Sequence, residues 1–343
     1  MTFRKLLQSV KLPIIQAPMA GVNTPQMAIS ACNSGIVGSI GCGMMEPASI
    51  KGSIEKIRNG TEKPFNINLF IVDNLDGYQP DRVAIKWLDD VYAERGLELP
   101  NPSKFAPKFE DQFAVLLEQA PPIASFAFGI LDGPQVRNLH DRKIAVVGAA
   151  TSLEEALQWE SVGADACVIQ GIEAGGHRCS FINTDDPGQP LLELLESVRN
   201  HLNIPLIAAG GLMNGGDVQA ALSAGADYAQ LGTVFLTTDE SPIPQAYRDA
   251  LYSSKGEDTT LTKGFSGRLA RGIRNKFINQ SSHQYSFPYP VQNAFTQPLR
   301  KDAAQRNSSD DLSMWSGKGV EAVKDSPSIE SLVTRLEEEY YVK

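Results

Sequence analysis

The sequence predicts an α/β protein built as a (β/α)8 TIM barrel. Short apolar segments alternate with helical segments, and eight such pairs begin between Ile14 and Leu231. The segments are apolar on both faces, which indicates parallel strands that are covered by helices. A doubly wound sheet is the alternative, but that fold carries a G-x-G-x-x-G loop after its first strand, and here Pro18-Met19-Ala20-Gly21 follows. We therefore favour the barrel, in which active sites lie at the carboxyl ends of the strands.

The first β/α unit carries recognisable boundary signals. A strand at 14–19 precedes Thr24 and Pro25, which supply a capping side chain and a proline in the first helical turn. The helix ends near Gly35, a C-terminal glycine signal. Further strands are predicted at 36–40, 65–70, 123–128, 144–147, 167–170, 206–209 and 228–231. Helices are predicted at 47–58, 110–119, 153–162, 190–202 and 216–224, with a short one before the fifth strand.

Three segments depart from the simple alternation. A polar, proline-bearing insertion at about 73–108 follows the third strand, and a helix is predicted within it at 83–95. The barrel itself should span 1–250. We expect 251–325 to cap the barrel mouth and contribute to the substrate region. Apolar residues at helical spacing predict a closing helix within 326–343, packed on the barrel.

Composition limits the classes of protein to which the chain can belong. The net charge of −9 argues against a general nucleic-acid binder, because phosphate binding needs a basic face. No uninterrupted apolar stretch approaches the ~20 residues that a membrane helix needs. The four cysteines contain no C-x-x-C pair, a usage typical of a reducing compartment. We expect a cytoplasmic protein without nucleic-acid or membrane partners, and the oligomeric state stays open.

The stretch from Gln170 to His177 is the first candidate for a reaction site. It follows the apolar run 166–169 and contains glycines at 171, 175 and 176, which allow sharp turns and close approach of a flat ligand. His177 comes directly after them, and an imidazole can exchange a proton near neutral pH. The alternative is a tight turn with an exposed histidine. A metal site is not indicated, since no second His/Cys cluster supports Cys179.

Two glycine turns follow the seventh and eighth strands. They are Ala208-Ala-Gly-Gly211 and Gln230-Leu-Gly-Thr233, the positions at which barrels commonly bind phosphate through backbone N–H groups. The ligand is then a phosphorylated cofactor such as FMN. The alternative is that the glycines only permit tight turns. Asn66 and Asn68 share one face of the third strand, where an amide suggests either a ligand contact or a satisfied buried side chain.

Several motifs together resemble the nitronate monooxygenase family, and they occur in order over nearly the whole chain. The most specific is Glu173-Ala-Gly-Gly-His177, which points to class I of the family. The others are Ile15-Gln-Ala-Pro-Met-Ala-Gly21, Pro64-Phe-Asn-Ile-Asn-Leu-Phe70, the two glycine turns, Ser266-Gly-Arg-Leu-Ala-Arg-Gly272 and Trp315-Ser-Gly-Lys-Gly319.

The resemblance implies a non-covalent FMN and oxidation of alkyl nitronates by O2 to a carbonyl compound and nitrite. It implies that His177 is the catalytic histidine and that Tyr285 and Tyr289 lie near the substrate. In some members a lysine follows four residues later, where this chain has Asn293, so a carboxylated substrate is in question. The implied FMN contacts are Met19, Asn68, Gln170, Gly175, Gly211, Gln230, Leu231, Gly232 and Thr233.

Two other functions stay open on the sequence. One is an NAD(P)H-dependent FMN barrel, such as an enoyl-ACP or quinone reductase, since flavin barrels need no dinucleotide fingerprint. The other is a flavin-binding protein without turnover. The histidine beside the glycine loop argues against the second of these, because a store or sensor has no need of a proton acceptor.

Overall fold

The computed structural model describes residues 3–73, 75 and 77–342. It confirms the (β/α)8 TIM barrel, because eight parallel strands form one sheet in the order β1-β9-β8-β6-β5-β4-β3-β2. The strands of the chain are β1 (Ile14–Gln16), β2 (Gly38–Gly41), β3 (Phe65–Phe70), β4 (Ile123–Ala127), β5 (Ala145–Ala150), β6 (Ala166–Gln170), β7 (Gly176–His177), β8 (Leu206–Ala209), β9 (Tyr228–Leu231), β10 (Thr259–Thr262) and β11 (Ala270–Ile273).

The barrel closes between β1 and the residue before β2. Ile15 forms a parallel bridge with Val37. The Gln16 N–H donates to Val37 O at 2.8 Å, and the Val37 N–H donates to Ile14 O at 3.0 Å. On its other side β1 pairs with β9, with Ile15 opposite Gln230. These contacts join the first and last strands of the sheet and complete the barrel.

Helices surround the barrel, and several begin at capping side chains. Thr24, Ser152 and Asn214 each accept a backbone hydrogen bond at a helix start. The helices are α1 (Phe3–Leu6), α2 (Pro25–Asn33), α3 (Pro47–Gly60), α4 (Lys86–Glu94), α5 (Phe109–Gln119), α6 (Gly133–Asp141), α7 (Leu153–Ser161), α8 (Leu191–Arg199), α9 (Gly215–Ser223), α10 (Gln245–Ser253), α11 (Lys276–Ser281), α12 (Val291–Gln305) and α13 (Ile329–Tyr341).

Hydrophobic packing holds the barrel together in two layers. A large cluster lies between the strands and the outer helices, and a smaller one, including Ile15, Val147 and Ile207, fills the barrel interior. Phe3 of α1 belongs to the inner cluster and meets Tyr228 edge to face at 5.5 Å. Because Tyr228 is the first residue of β9, α1 closes the amino end of the barrel and leaves the carboxyl end for a site.

A cap made from the insertion and the C-terminal region lies apart from the barrel core. Tyr92 of α4 and Phe295 of α12 share its hydrophobic cluster, and the Tyr92 hydroxyl donates to Phe295 O at 2.6 Å. Arg95 and Asp311 form a buried ion pair at 2.7 Å. The sequence predicted neither this pairing nor α12, because the segment 256–300 reads as polar when its partner is unknown.

A second sheet joins the cap to the barrel rim. It has the order β10-β11-β7, and β11 pairs antiparallel with β7, so that Ala270 lies opposite His177 and Arg271 opposite Gly176. The predicted closing helix exists as α13, which packs against α2 and α9. No helix in the described ranges is both long enough and apolar enough to cross a membrane.

Candidate active site

A hydrogen-bonded loop fixes His177 above the end of β6. The Gln170 side chain donates from Nε2 to His177 O at 3.0 Å and accepts the Cys179 N–H at Oε1, also at 3.0 Å. The fully buried Arg178 donates to Gly171 O at 2.6 Å and to Gln170 O at 3.0 Å. The backbone of Gly176 has φ +74°, which favours glycine. The loop is therefore preorganised, and both ends of the Gln170 amide already bind protein.

Three aromatic rings and one hydroxyl surround the His177 imidazole. The ring centroids of Phe128, Tyr289 and Trp315 lie 5.6, 5.8 and 5.3 Å from that of His177. The Nε2 atom lies 2.8 Å from the Ser266 hydroxyl, and that hydroxyl lies 3.1 Å from Arg268 O. The arrangement that satisfies both contacts has the hydroxyl donate to Arg268 O and Nε2–H donate to Ser266 Oγ. This leaves Nδ1 as the nitrogen with a free lone pair.

Burial and two cations keep His177 neutral. Burial, followed by the charges of Arg268 and Arg300, lowers the pKa of His177 to about 3. Burial also raises the pKa of Tyr289 above its ordinary value, so the phenol keeps its proton. At neutral pH the site therefore offers a proton acceptor at His177 and a protonated phenol at Tyr289, while the positive charge resides on the arginines.

Glycines on separate loops approach one another at the carboxyl rim. A Cβ atom on Gly175 would lie 2.5 Å from Gly317 N, and one on Gly319 would lie 2.7 Å from Gly211 O. The Gly317 N–H donates to Thr233 Oγ1 at 3.0 Å. Gly211 has φ +73°, and its N–H donates no hydrogen bond within the described ranges. These loops form a cradle that only glycines fit, with an amide left to bind a ligand.

The remaining predicted contacts lie at three different places. Asn68 is buried and donates to Ser125 Oγ at 3.1 Å, and Gln230 faces the barrel interior, so both lie beneath the rim. Met19 lies beside the Gly232 turn, since a Cβ on Gly232 would be 3.9 Å from Met19 Sδ. The Leu231 side chain instead packs in the outer core, so only its backbone can reach a ligand.

The structure separates the two predicted substrate tyrosines. Tyr289 packs against both Phe128 and His177. Tyr285 is 51% exposed and its ring packs on Phe287. Its contacts within the described ranges do not include His177, so the placement supports a site role for Tyr289 and gives none to Tyr285.

Ser266, Phe128 and Arg268 complete the site although the sequence assigned them no role there. The Arg268 guanidinium lies 4.2 Å from the centroid of the Phe128 ring, and Ser266 holds His177. The motif 266–272 was visible in the sequence, but its distance along the chain from His177 hid the contact. Burial raises the pKa of Cys179 to about 11, which argues against a thiolate nucleophile. In the described part of the chain no group of His, Cys, Asp and Glu could hold a metal ion.

Comparison with known proteins agrees with the motifs. A sequence model of the family described as nitronate monooxygenase matches residues 2–339. The probable nitronate monooxygenase of Staphylococcus saprophyticus is 37% identical over 345 residues, covering 97% of this chain and 96% of the relative. That of Staphylococcus haemolyticus is 36% identical over 341 residues, covering 96% and 94%.

Solved structures give the same result. A nitroalkane oxidase from Streptomyces ansochromogenes has a TM-score of 0.91 and 35% identity, covering 98% of this chain and 97% of that one. FabK from Thermotoga maritima has a TM-score of 0.77 at 24% identity, covering 99% and 96%, which shows a shared fold alone. The chain is therefore an enzyme of the (β/α)8-barrel oxidoreductases. Within that class it belongs to the nitronate monooxygenase family, which confirms the resemblance seen in the sequence.

Proposed function

We propose that the protein binds FMN and uses it to oxidise alkyl nitronates with O2, giving a carbonyl compound and nitrite. The observation that carries the proposal is the neutral His177 imidazole, held by Ser266 over the carboxyl rim beside the glycine cradle. The names of the similar proteins, probable nitronate monooxygenases and a nitroalkane oxidase, support both nitronates and neutral nitroalkanes as substrates.

The residues at the rim fit an FMN. The Gly211 N–H, the Gly232 turn and Thr233 would hold the phosphate, as backbone amides do at such turns. Asn68, Gln230 and the Met19 side chain line the rim and the space beneath it, where the ring system would rest. Gln170 Nε2 donates one of its two N–H groups to His177 O, so the second N–H could reach the ring system. When bound, the flavin supplies the electron-accepting step and the reaction with O2.

The protein's own residues would position the substrate and handle one proton. A nitronate is already an anion and needs no base. A neutral nitroalkane must first lose its α-proton, and the free Nδ1 of His177 is the atom that can accept it. Phe128, Tyr289 and Trp315 exclude water around the imidazole, and Ser266 holds the ring in one orientation.

Anaerobic mixing of the purified protein with propyl-1-nitronate tests the proposal, with flavin absorbance as the readout and NAD(P)H in a parallel cell. We expect bleaching by the nitronate alone, followed by reoxidation and nitrite release when air is admitted. Bleaching only by NAD(P)H would replace the proposal with a reductase. A yellow protein that reacts with neither would indicate flavin binding without turnover, and a protein that cannot take up FMN would overturn the cradle assignment.

A further inference from the structure

Arg268 differs from the other buried arginines around the site in how its guanidinium is used. Arg300 donates to Asn293 O at 3.0 Å and to Asn293 Oδ1 at 2.7 Å. Arg271 donates to Ile172 O at 3.0 Å and to Thr259 Oγ1 at 3.2 Å. Protein oxygens therefore already hold these two side chains. Among the described residues Arg268 has one such bond, from Nε to Arg178 O at 3.2 Å.

The outer nitrogens of Arg268 are the part of its guanidinium that donates no hydrogen bond to the described residues. Its Nη2 atom is enclosed and has no hydrogen-bond partner within the described ranges. Leaving a buried charged donor unpaired costs free energy. Such a group in a functional site therefore indicates that a bound ligand supplies the missing acceptor. Stacking on Phe128 at 4.2 Å holds the guanidinium plane in place without using its donors.

The location of Arg268 identifies what that partner would be. The Phe128 ring beneath the guanidinium lies 5.6 Å from His177 and 5.3 Å from Tyr289, so the cation belongs to the wall of the proposed substrate site. A nitronate carries its negative charge on two oxygens bound to one nitrogen. This planar group resembles a carboxylate, which the guanidinium edge binds in a two-point geometry.

We propose that Arg268 binds the two oxygens of the nitronate, so that the site binds the anionic form of the substrate more tightly than the neutral form. The inference rests on the proposed function. His177 cannot take this role, because it is neutral at the pH of the reaction. Arginine stays charged throughout the accessible pH range. The site therefore keeps its positive charge at every pH at which His177 is deprotonated and can act as a base.

A pair of isosteric probes tests binding separately from turnover. Butyrate mimics the planar anionic head of a nitronate, and butyramide has the same shape without the charge. Their dissociation constants are measured by calorimetry on the purified full-length protein and on Arg268→Met, Arg268→Lys and Arg271→Met, with flavin content recorded for each. Because neither probe is oxidised as a nitronate would be, the result does not depend on nitronate turnover.

We expect Arg268→Met to weaken butyrate binding roughly 10- to 100-fold, as loss of a charge-assisted pair does, and to leave butyramide within about threefold. Arg268→Lys should retain part of the preference, since it keeps the charge and loses the two-point geometry. Arg271→Met removes a buried charge from the same motif and should leave the butyrate-to-butyramide ratio unchanged.

Equal loss of both probes in Arg268→Met, or a wild-type protein that binds butyramide as well as butyrate, would overturn the inference. Loss of flavin from Arg268→Met with an unchanged probe ratio would also overturn it and would assign the arginine to the cofactor. Failure of the proposed function would show differently, as a wild-type enzyme that prefers butyrate yet releases no nitrite from propyl-1-nitronate.

Discussion

The imidazole Nε2 of His177 lies 2.8 Å from the hydroxyl oxygen of Ser266, a residue 89 positions away in the chain. The contact exists because β7, which carries His177, pairs with β11 just beyond Ser266. Together with the contact from Ser266 to Arg268 O, it favours the Nε2–H tautomer, which leaves Nδ1 to accept a proton. The proposed catalytic histidine is therefore oriented by the cap and not only by the barrel loop that carries it.

Replacing His177 should separate the two classes of substrate. We expect His177→Asn to lower kcat/KM for 1-nitropropane by about 10²-fold, the low end of the usual contribution of a general base, because a pKa of about 3 makes the imidazole a weak proton acceptor at neutral pH. The loss on propyl-1-nitronate should be much smaller, because that anion needs no base. Steady-state oxygen consumption with both substrates measures the difference, and an equal loss on both would remove His177 from the role of base.

Ser266→Ala should disturb the orientation of the imidazole without removing it. We expect a fall in kcat for 1-nitropropane of about tenfold, in line with the loss of one hydrogen bond to the base. The readout specific to orientation is the ¹⁵N chemical shift of His177, which should report the Nε2–H tautomer in the wild type and a mixture in the variant. A wild-type spectrum of the Nδ1–H tautomer would contradict the assignment.

The lowered pKa of His177 predicts that the acid limb of the pH profile of kcat/KM lies at an unusually low pH. A base works when deprotonated, so activity is lost as the pH falls through its pKa, which burial, Arg268 and Arg300 place at about 3. We expect kcat/KM for 1-nitropropane to stay level from about pH 8 to about pH 5, whereas an ordinary histidine would titrate near 6.5. A limb centred near 6.5 would show that the site is more open than the structure indicates.

The lowered pKa of His177 also makes the free energy of unfolding depend on pH. The unfolded chain takes up a proton at His177 near pH 6.5, well before the folded protein does, so acid favours the unfolded state over the interval between about 6.5 and about 3. The wild-type melting temperature should fall across the accessible part of this interval. In His177→Asn the fall should be smaller, and identical slopes for the two proteins would contradict the shifted pKa.

The two tyrosines should respond differently to loss of their hydroxyls. Tyr289→Phe removes the hydroxyl beside His177 that donates to Met44 Sδ at 3.1 Å, and we expect kcat/KM to fall by about 10-fold, as for loss of one polar group that lines the site. Tyr285→Phe alters a half-exposed ring that contacts Phe287, and its effect should be clearly smaller. Similar losses from both changes would mean that Tyr285 moves into the site during turnover.

Replacing Gly211 with alanine tests the proposed phosphate cradle. Its φ of +73° disfavours any side chain, and an added Cβ would lie 3.0 Å from the Glu173 Cβ. We expect Gly211→Ala to purify with less bound flavin and to need a higher FMN concentration for reconstitution. Gly52→Ala is the matched control, because that helical glycine has nothing within 4 Å of an added Cβ, and it should keep its flavin and gain about 0.5–1 kcal/mol of stability.

The sequence by itself determined the barrel, the two glycine turns and the position of His177 after a strand. These features depend on local rules: the apolar runs, the capping residues and the glycines each act over a few neighbouring residues. Strands at 65–70, 206–209 and 228–231 matched the structure residue for residue, because a proline or glycine lies within three residues before the start of each.

Only the tertiary structure decided what surrounds His177. Ser266 and Tyr289 reach the imidazole, and Arg268 reaches the neighbouring Phe128 ring, through a two-residue strand and a cap held by its own hydrophobic cluster. The packing also placed Tyr285 at the surface, although the motif spacing gave it the same standing as Tyr289. Contacts between segments so far apart depend on the burial of apolar surface that both segments share, and no local pattern in either segment records which partner it will meet.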